Sequence, residues 1–188
     1  MAAMIAAAAL AAGAFLVWYR QPSADELAVR AAVYRHMFSQ NGSGLRSKAC
    51  AYYLGVADGW TDAPGERRSG ILDMLRRLPA LLRGRSDTSF SAGDPDPRIL
   101  ASFRRHRPPV KRVSECVLED LTTGIQDKRT KDRGLVFITG RITKIGPNVV
   151  EVEGGYYENG LSSSGNVYRV VKHRNRWVVV KDKLVWIS

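Results

Sequence analysis

The chain has few of the side chains that build metal centres, and those few are far apart. It contains two cysteines and three histidines in 188 residues. Cys50 and Cys116 form no CxxC pair, and no histidine has a second ligand four residues away. Two cysteines alone cannot build a structural zinc site. The sequence therefore predicts no metal site. It also predicts no cofactor, because its glycine-containing stretches lack the lysine of a phosphate-binding loop.

The small number of cysteines leaves their redox state open. In an oxidising compartment Cys50 and Cys116 could form one disulfide, whereas in the cytosol they would be two buried thiols. The choice between these two states depends on where the chain resides.

Charge is missing from the start of the chain up to Arg20. Residues 2–19 read AAMIAAAALAAGAFLVWY and approach the roughly 20 apolar residues that span a bilayer. The closing aromatic residues, Trp18 and Tyr19, suit the membrane interface. We therefore predict that residues 2–19 contact a membrane.

A cleaved signal peptide is the alternative, because Ala12-Gly13-Ala14 fits the small-x-small rule for cleavage. We favour an anchor or signal segment over 1–20 that is not cleaved, followed by one domain over 21–188. Basic residues follow the segment and none precedes it, which taken alone places the domain in the cytoplasm. Because such segments usually serve export, we predict the bacterial inner membrane, with the domain outside the cytoplasm.

Positive charge is concentrated in the second half of the chain. The net charge is +11, and we count 18 basic and 9 acidic residues in 98–188. Acidic residues are absent from 98–112, RILASFRRHRPPVKR, whose candidate anion-binding residues are Arg104, Arg105, Arg107, Lys111 and Arg112. An ordinary solvated surface is the simplest interpretation, and an anionic lipid or an acidic protein is the partner that we predict otherwise. Nucleic acid is not favoured, because Phe103 is the only aromatic residue in the stretch for base stacking.

Hydrophobic periodicity predicts helices first and strands later. We expect helices over 25–38 and 66–78, a buried strand over 49–56 and a short helix over about 97–105. Strands follow over 113–120, 134–145 and 149–158, and a hairpin closes the chain over 167–188. The fold class is therefore α+β, with helices packed on a mainly antiparallel sheet of about four to six strands.

Alternation within these strands assigns side chains to faces. In 134–145 it places Val136, Ile138 and Ile142 on one face, and in 149–158 it turns Glu151 and Glu153 outward. In the last strand it separates two sets: Val178, Val180, Leu184 and Trp186 on one face, and Trp177, Val179, Lys181 and Lys183 on the other. Arg174-Asn175 can supply the hairpin turn, since Asn tolerates positive φ.

The closing pattern Y-x-V-x-K followed by W-x-V resembles the nuclear transport factor 2-like, or cystatin-like, superfamily. Tyr168, Val170, Lys172, Trp177 and Val179 carry it, together with the helix over 25–38. The resemblance implies a curved sheet that wraps a helix. Residues 154–188 also resemble an uncharacterised bacterial family of membrane-anchored or exported proteins, which implies no activity.

Three hypotheses for function remain. The first is a membrane-anchored α+β domain that binds or scaffolds in the bacterial envelope and does no chemistry, since no catalytic constellation is visible. The second is a small-ligand or enzymatic pocket between the helix over 25–38 and the sheet, with Tyr34 and Tyr168 as lining residues and only a weak case for His36 in catalysis. The third is a polyanion or nucleic-acid binder that uses 98–112.

Overall fold

The structure is a computed structural model. It describes residues 22–40, 43–46, 48–57, 92–119 and 122–188. The predicted membrane segment over 2–19 and the predicted helix over 66–78 lie outside these residues. Within the described ranges, no helix is long and apolar enough to span a bilayer.

The first helix, α1 (Ala24–Gln40), confirms the helix predicted over 25–38. Ser23 caps its start, because the Ser23 Oγ accepts a hydrogen bond from the backbone N–H of Glu26 at 3.1 Å. Its inward face buries Val29, Val33 and Met37. Burial of such side chains stabilises a fold by about 1.5 to 3 kcal/mol each.

One six-stranded sheet forms the body of the domain, in the order β2-β1-β5-β6-β7-β8. A separate antiparallel ladder joins β3 to β4, and a short helix, α2 (Pro97–Ala101), precedes β2. The strands are β1 (Tyr52–Val56), β2 (Val110–Arg112), β3 (Cys116–Leu118), β4 (Ile125–Asp127), β5 (Leu135–Gly146), β6 (Val149–Asn159), β7 (Ser162–His173) and β8 (Arg176–Ile187).

The α+β class and the mainly antiparallel sheet are confirmed. The pairing of β1 with β2 and with β5 is parallel, which the sequence did not predict. The strand predicted over 113–120 is shorter than expected, because Val113–Glu115 forms a 3-10 turn before β3.

Each face of the sheet has its own apolar cluster. The helix side packs α1 against side chains such as Phe137, Val152 and Val170. The opposite side packs Val136 and Ile138 beneath the β3–β4 ladder. The domain is therefore layered, with α1 on one face and the small ladder on the other.

A bulge in β5 corrects one predicted face. Ile142 packs on the helix side, although Val136 and Ile138 pack on the opposite side. The register shifts between Thr139 and Ile142, and one extra residue reverses the alternation of every later side chain. In β6, Glu151 and Glu153 turn outward as predicted and pair with arginines of neighbouring strands.

Two bulges in β8 correct the faces of the last strand. The register against β7 shifts at Val180 and again at Val185. Trp177 and Val179 pack on the helix side as one set, but beyond Val180 the alternation is reversed. Asp182 and Leu184 therefore face the helix side, where the simple alternation had placed Lys181 and Lys183.

The turn between β7 and β8 is the one that the sequence predicted. Arg174 and Asn175 have φ values of 46° and 65°, the left-handed geometry of a two-residue turn that matches strand twist.

The last residue, Ser188, is also held to the sheet, because backbone hydrogen bonds join Ser163 and Ser188 in both directions.

Candidate functional site

A small cavity opens on the helix side of the sheet. It lies between the end of α1 and strands β6, β7 and β8, and its volume is about 160 Å³. Its lining mixes apolar and polar side chains: Met37, Gln40, Tyr156, Ser164, Asn166, Tyr168, Asp182, Leu184 and Ile187. An apolar cavity of about 150 Å³ accepts benzene, so the space suits a ligand of that size.

A chain of hydrogen bonds runs along one wall of the cavity. Asn166 donates from Nδ2 to Asp182 Oδ1 at 2.5 Å, and Ser164 donates from Oγ to Asn166 Oδ1 at 3.1 Å. His36 Nε2 lies 3.3 Å from the other oxygen, Asp182 Oδ2. Among the described residues, no lysine or arginine pairs with this carboxylate.

Tyr168 lies beside this chain and is 4% exposed. Its ring packs edge-on against the ring of His36, with 5.6 Å between centroids. Within the described part of the chain, its hydroxyl has no hydrogen-bond partner. Burial, with the Asp182 carboxylate in addition, raises the pKa of Tyr168 far above its usual range. The hydroxyl is therefore a neutral donor and acceptor that faces the cavity.

Strand pairing explains how these residues meet. Tyr168 of β7 is opposite Asp182 of β8, and Asn166 is opposite Leu184. Asp182 reaches the helix side only because the bulge at Val180 precedes it. Sequence reasoning found Tyr168 and weighed His36, but it missed Asp182, because alternation without the bulge turned that carboxylate outward. No signal in the sequence marks the bulge.

Tyr34, the other predicted pocket residue, is not part of this cavity. Its side chain is fully buried, and its hydroxyl donates to the Gly55 carbonyl at 2.6 Å. The same hydroxyl accepts from Thr139 Oγ1 at 2.9 Å, and Arg30 donates to both Thr139 and Gly140. Burial raises the pKa of Tyr34 to about 12. Tyr34 therefore holds α1 to the sheet and has no free polar atom for a ligand.

The predicted anion-binding residues differ in their surroundings. Lys111 turns toward the core, where its Nζ lies 2.5 Å from Asp127 Oδ2. Arg107 donates to the backbone carbonyl of His106 at 2.9 Å. Four of the five candidates are exposed: Arg104, Arg105, Arg107 and Arg112. The segment is thus a loose basic surface that lacks its predicted lysine.

Both cysteines are free thiols, so the disulfide that the sequence left open is absent from the structure. The Cys116 thiol donates to the Val113 carbonyl at 3.2 Å, and burial raises its pKa to about 12. Burial also raises the pKa of Cys50. Neither thiol is therefore activated for chemistry. Within the ranges that the structure covers, no three His, Cys, Asp or Glu side chains group as metal ligands.

The described side chains around the cavity offer hydrogen-bonding groups of different kinds. Ser164 donates to an amide and is not next to a base. Asp182 offers an acceptor with a negative charge, and Tyr168 offers a neutral hydroxyl. Comparison with protein-family models, curated proteins and solved structures finds no match to the chain.

Proposed function

We propose that this domain is a non-enzymatic binding module whose cavity takes a small polar molecule. The proposed ligand is about the size of benzene and carries amine or hydroxyl donors. One observation carries the proposal: the hydroxyl of Tyr168, a residue that is 4% exposed, has no partner among the described residues and lies at a cavity beside Asp182. A ligand that hydrogen-bonds to this hydroxyl would replace water there, for a net gain of about 0.5 to 1.5 kcal/mol.

The charge of the wall favours donors over acceptors in the ligand. Within the described ranges, the partners of Asp182 are an amide and a histidine, and no lysine or arginine compensates its negative charge. An amine would gain a charge-assisted hydrogen bond there. A carboxylate ligand would be repelled by the Asp182 carboxylate. It would also lose its hydration without gaining an ion pair that offsets this cost.

Matched six-membered rings test the proposal directly. Cyclohexylamine, cyclohexanol and cyclohexanecarboxylate have similar volumes and differ in the polar group. We expect the amine and the alcohol to raise the melting temperature of the full chain, because a ligand that binds the folded state stabilises it. We expect the carboxylate to have no effect.

Variants locate the binding. Leu184→Trp should abolish the stabilisation by filling the cavity, and Tyr168→Phe should weaken binding about tenfold by removing the unpaired hydroxyl. Lys183→Gln is the control, because this exposed residue lies between two cavity residues in sequence but outside the cavity. Equal stabilisation of the wild type and Leu184→Trp by every probe would refute the proposal.

We further propose that the module works at the bacterial inner membrane, with its domain outside the cytoplasm. The uncharged segment over 2–19 supports this location. A reporter that is active only outside the cytoplasm, fused after Ser188, should be active in cells. An inactive reporter would place the domain in the cytoplasm and leave the binding proposal untouched.

A further inference from the structure

A second and larger cavity lies at the other end of the helix. It is a groove between α1, α2 and the tip of the β7–β8 hairpin, its volume is about 570 Å³, and it shares no lining residue with the first cavity. This volume falls within the roughly 300 to 1,000 Å³ of small-molecule sites. Its floor is apolar: Leu27, Ala28, Ala31, Ile99, Trp177 and Val178.

Each of the three walls of this groove contributes one arginine. These are Arg35 from α1, Arg98 from α2 and Arg176 from β8, and none of the described residues that line the groove is an aspartate or glutamate. We call this groove, with its apolar floor and three arginines, the arginine groove. A cavity with one sign of charge and low-dielectric walls concentrates ions of the opposite sign.

Two of the three guanidinium groups are available. Arg98 is compensated, because its Nε and Nη2 donate to Asp96 at 2.9 and 2.8 Å. Arg35 and Arg176 are exposed, and no carboxylate among the described residues pairs with either. The Arg35 guanidinium rests over the ring of Phe103, 5.4 Å from its centroid, which orients it without neutralising it.

Local structure fixes the third wall. The left-handed turn at Arg174 and Asn175 ends at Arg176, which pairs across the hairpin with His173. The Trp177 ring is also held, because its Nε1 donates to Asp25 Oδ1 at 3.0 Å. That carboxylate is paired with Lys172 at 2.8 Å, so it adds no free negative charge near the groove.

We propose that the arginine groove binds a single-chain anionic amphiphile, a carboxylate that carries a hydrocarbon chain. The chain would cover the apolar floor, and the carboxylate would accept hydrogen bonds from Arg35 and Arg176 in the bidentate geometry that guanidinium favours. A peptide fits less well, since its backbone needs hydrogen-bond partners. Among the lining residues that the structure describes, only Ser102 and Asn175 have neutral polar side chains.

Three twelve-carbon probes test the proposal on the full chain. Calorimetric titrations use laurate and dodecylamine below their micelle concentrations and dodecanol below its solubility limit. We expect laurate to bind at least about tenfold more tightly than either other probe, because only laurate pairs with the guanidinium groups. The probes would also bind the apolar segment over 2–19, equally in every variant. This background is subtracted from each titration.

Variants then assign laurate to the arginine groove. Arg35→Gln and Arg176→Gln should each weaken laurate binding about tenfold, and Ala28→Trp should abolish it by filling the groove. All three positions are exposed, so the variants should fold, which circular dichroism checks. Lys144→Gln is the charge control, because this exposed lysine lies on β5 away from the groove.

The outcomes separate this proposal from its rivals and from the first cavity. Equal binding of the three probes, or laurate binding that survives Ala28→Trp, would overturn it. The proposal would also be overturned if the chain bound phosphatidylglycerol vesicles or an acidic peptide but did not bind free laurate. Leu184→Trp, which fills the first cavity, should leave laurate binding unchanged, so failure of one proposal does not decide the other.

Discussion

Two aspartates, one in the β3–β4 ladder and one in the six-stranded sheet, differ in how many of their carboxylate oxygens' acceptor positions are occupied. Asp127 is 2% exposed and accepts from four donors, which are Lys111 Nζ, the Tyr53 hydroxyl and the backbone N–H groups of Arg129 and Thr130. Asp182 is partly exposed, and its only polar partners in the described part of the chain are Asn166 and His36.

The difference separates a carboxylate that builds the fold from one that is open to a ligand. The ammonium of Lys111, helped by the Tyr53 hydroxyl, holds the pKa of Asp127 well below its usual range. Every acceptor position of Asp127 serves the loop after β4 or the neighbouring strands. Asp182 has acceptor positions left, and they face a cavity. Charge alone would not distinguish the two, whereas burial and the identity and number of the donors do.

The largest effect is expected from Asp127→Asn. The change keeps the acceptor for two backbone N–H groups but removes the charge that pairs with Lys111. We expect the free energy of unfolding at pH 7 to fall by about 2 kcal/mol, below the full cost of breaking a buried pair because Lys111 still reaches water. Urea unfolding measures this loss. Asp96→Asn is the matched control and should lose less than about 0.5 kcal/mol, since Asn also caps helices.

Acid should sharpen the same comparison. Because the pKa of Asp127 is lower in the folded than in the unfolded state, its stabilisation is present above the unfolded pKa of about 4 and is lost as the pH falls below it. The wild type should therefore lose more stability between pH 7 and pH 3 than Asp127→Asn does. Equal losses in the two proteins would show that other carboxyl groups control acid unfolding.

The tyrosines beside the two aspartates form the next pair. Tyr53 donates to Asp127 at 2.7 Å, so Tyr53→Phe should cost about 1 kcal/mol. Tyr168→Phe removes a hydroxyl that no described residue pairs with and should change the free energy of unfolding by less than about 0.5 kcal/mol. Chemical denaturation of both variants measures the difference. A loss for Tyr168→Phe as large as that for Tyr53→Phe would contradict the open-site interpretation.

A smaller effect on stability is expected from Asp182→Asn. Its contact with His36 reaches solvent, and exposed ion pairs contribute about 0 to 1 kcal/mol. Binding should respond instead, because cyclohexylamine loses its charged acceptor while cyclohexanol keeps a neutral one. Calorimetry should show the preference for the amine disappear, and an undiminished preference would place the ligand elsewhere.

The smallest effect is expected from the exposed arginines after α2. The double variant Arg104→Gln, Arg105→Gln should change unfolding by less than about 0.5 kcal/mol. If the chain binds a polyanion through 98–112, the double variant should elute from heparin at a slightly lower salt concentration than the wild type. The reason is that each contact with an anionic group contributes to the salt dependence of binding. Unchanged elution relative to Lys144→Gln would remove the support for a polyanion site.

Much of the fold follows from local pattern, because α1, the long strands and the left-handed turn depend on neighbours in sequence. The features that could not be predicted from the sequence depend on how strands pair with each other. The side of the sheet that Ile142 and Asp182 occupy is set by bulges, and a bulge is a choice of register against another strand. Lys111 was assigned to an anion site because its partner, Asp127, is distant in sequence. The sequence also does not distinguish Tyr34 from Tyr168, because partners that are distant in sequence decide the difference. The Tyr34 hydroxyl has two hydrogen-bond partners, whereas the Tyr168 hydroxyl has none among the described residues.

The parallel pairing of β1 with β5 has a consequence for how the chain folds. It places Tyr52 beside Leu135, with nearly half of the chain between them, whereas the β7–β8 hairpin closes over two residues. Closing a long loop costs entropy before any contact repays it. We therefore expect the C-terminal meander to form first and β1 with β2 to dock late. The first cavity, built from α1 and the meander, would exist before the edge of the sheet that contains the Tyr53–Asp127 contact.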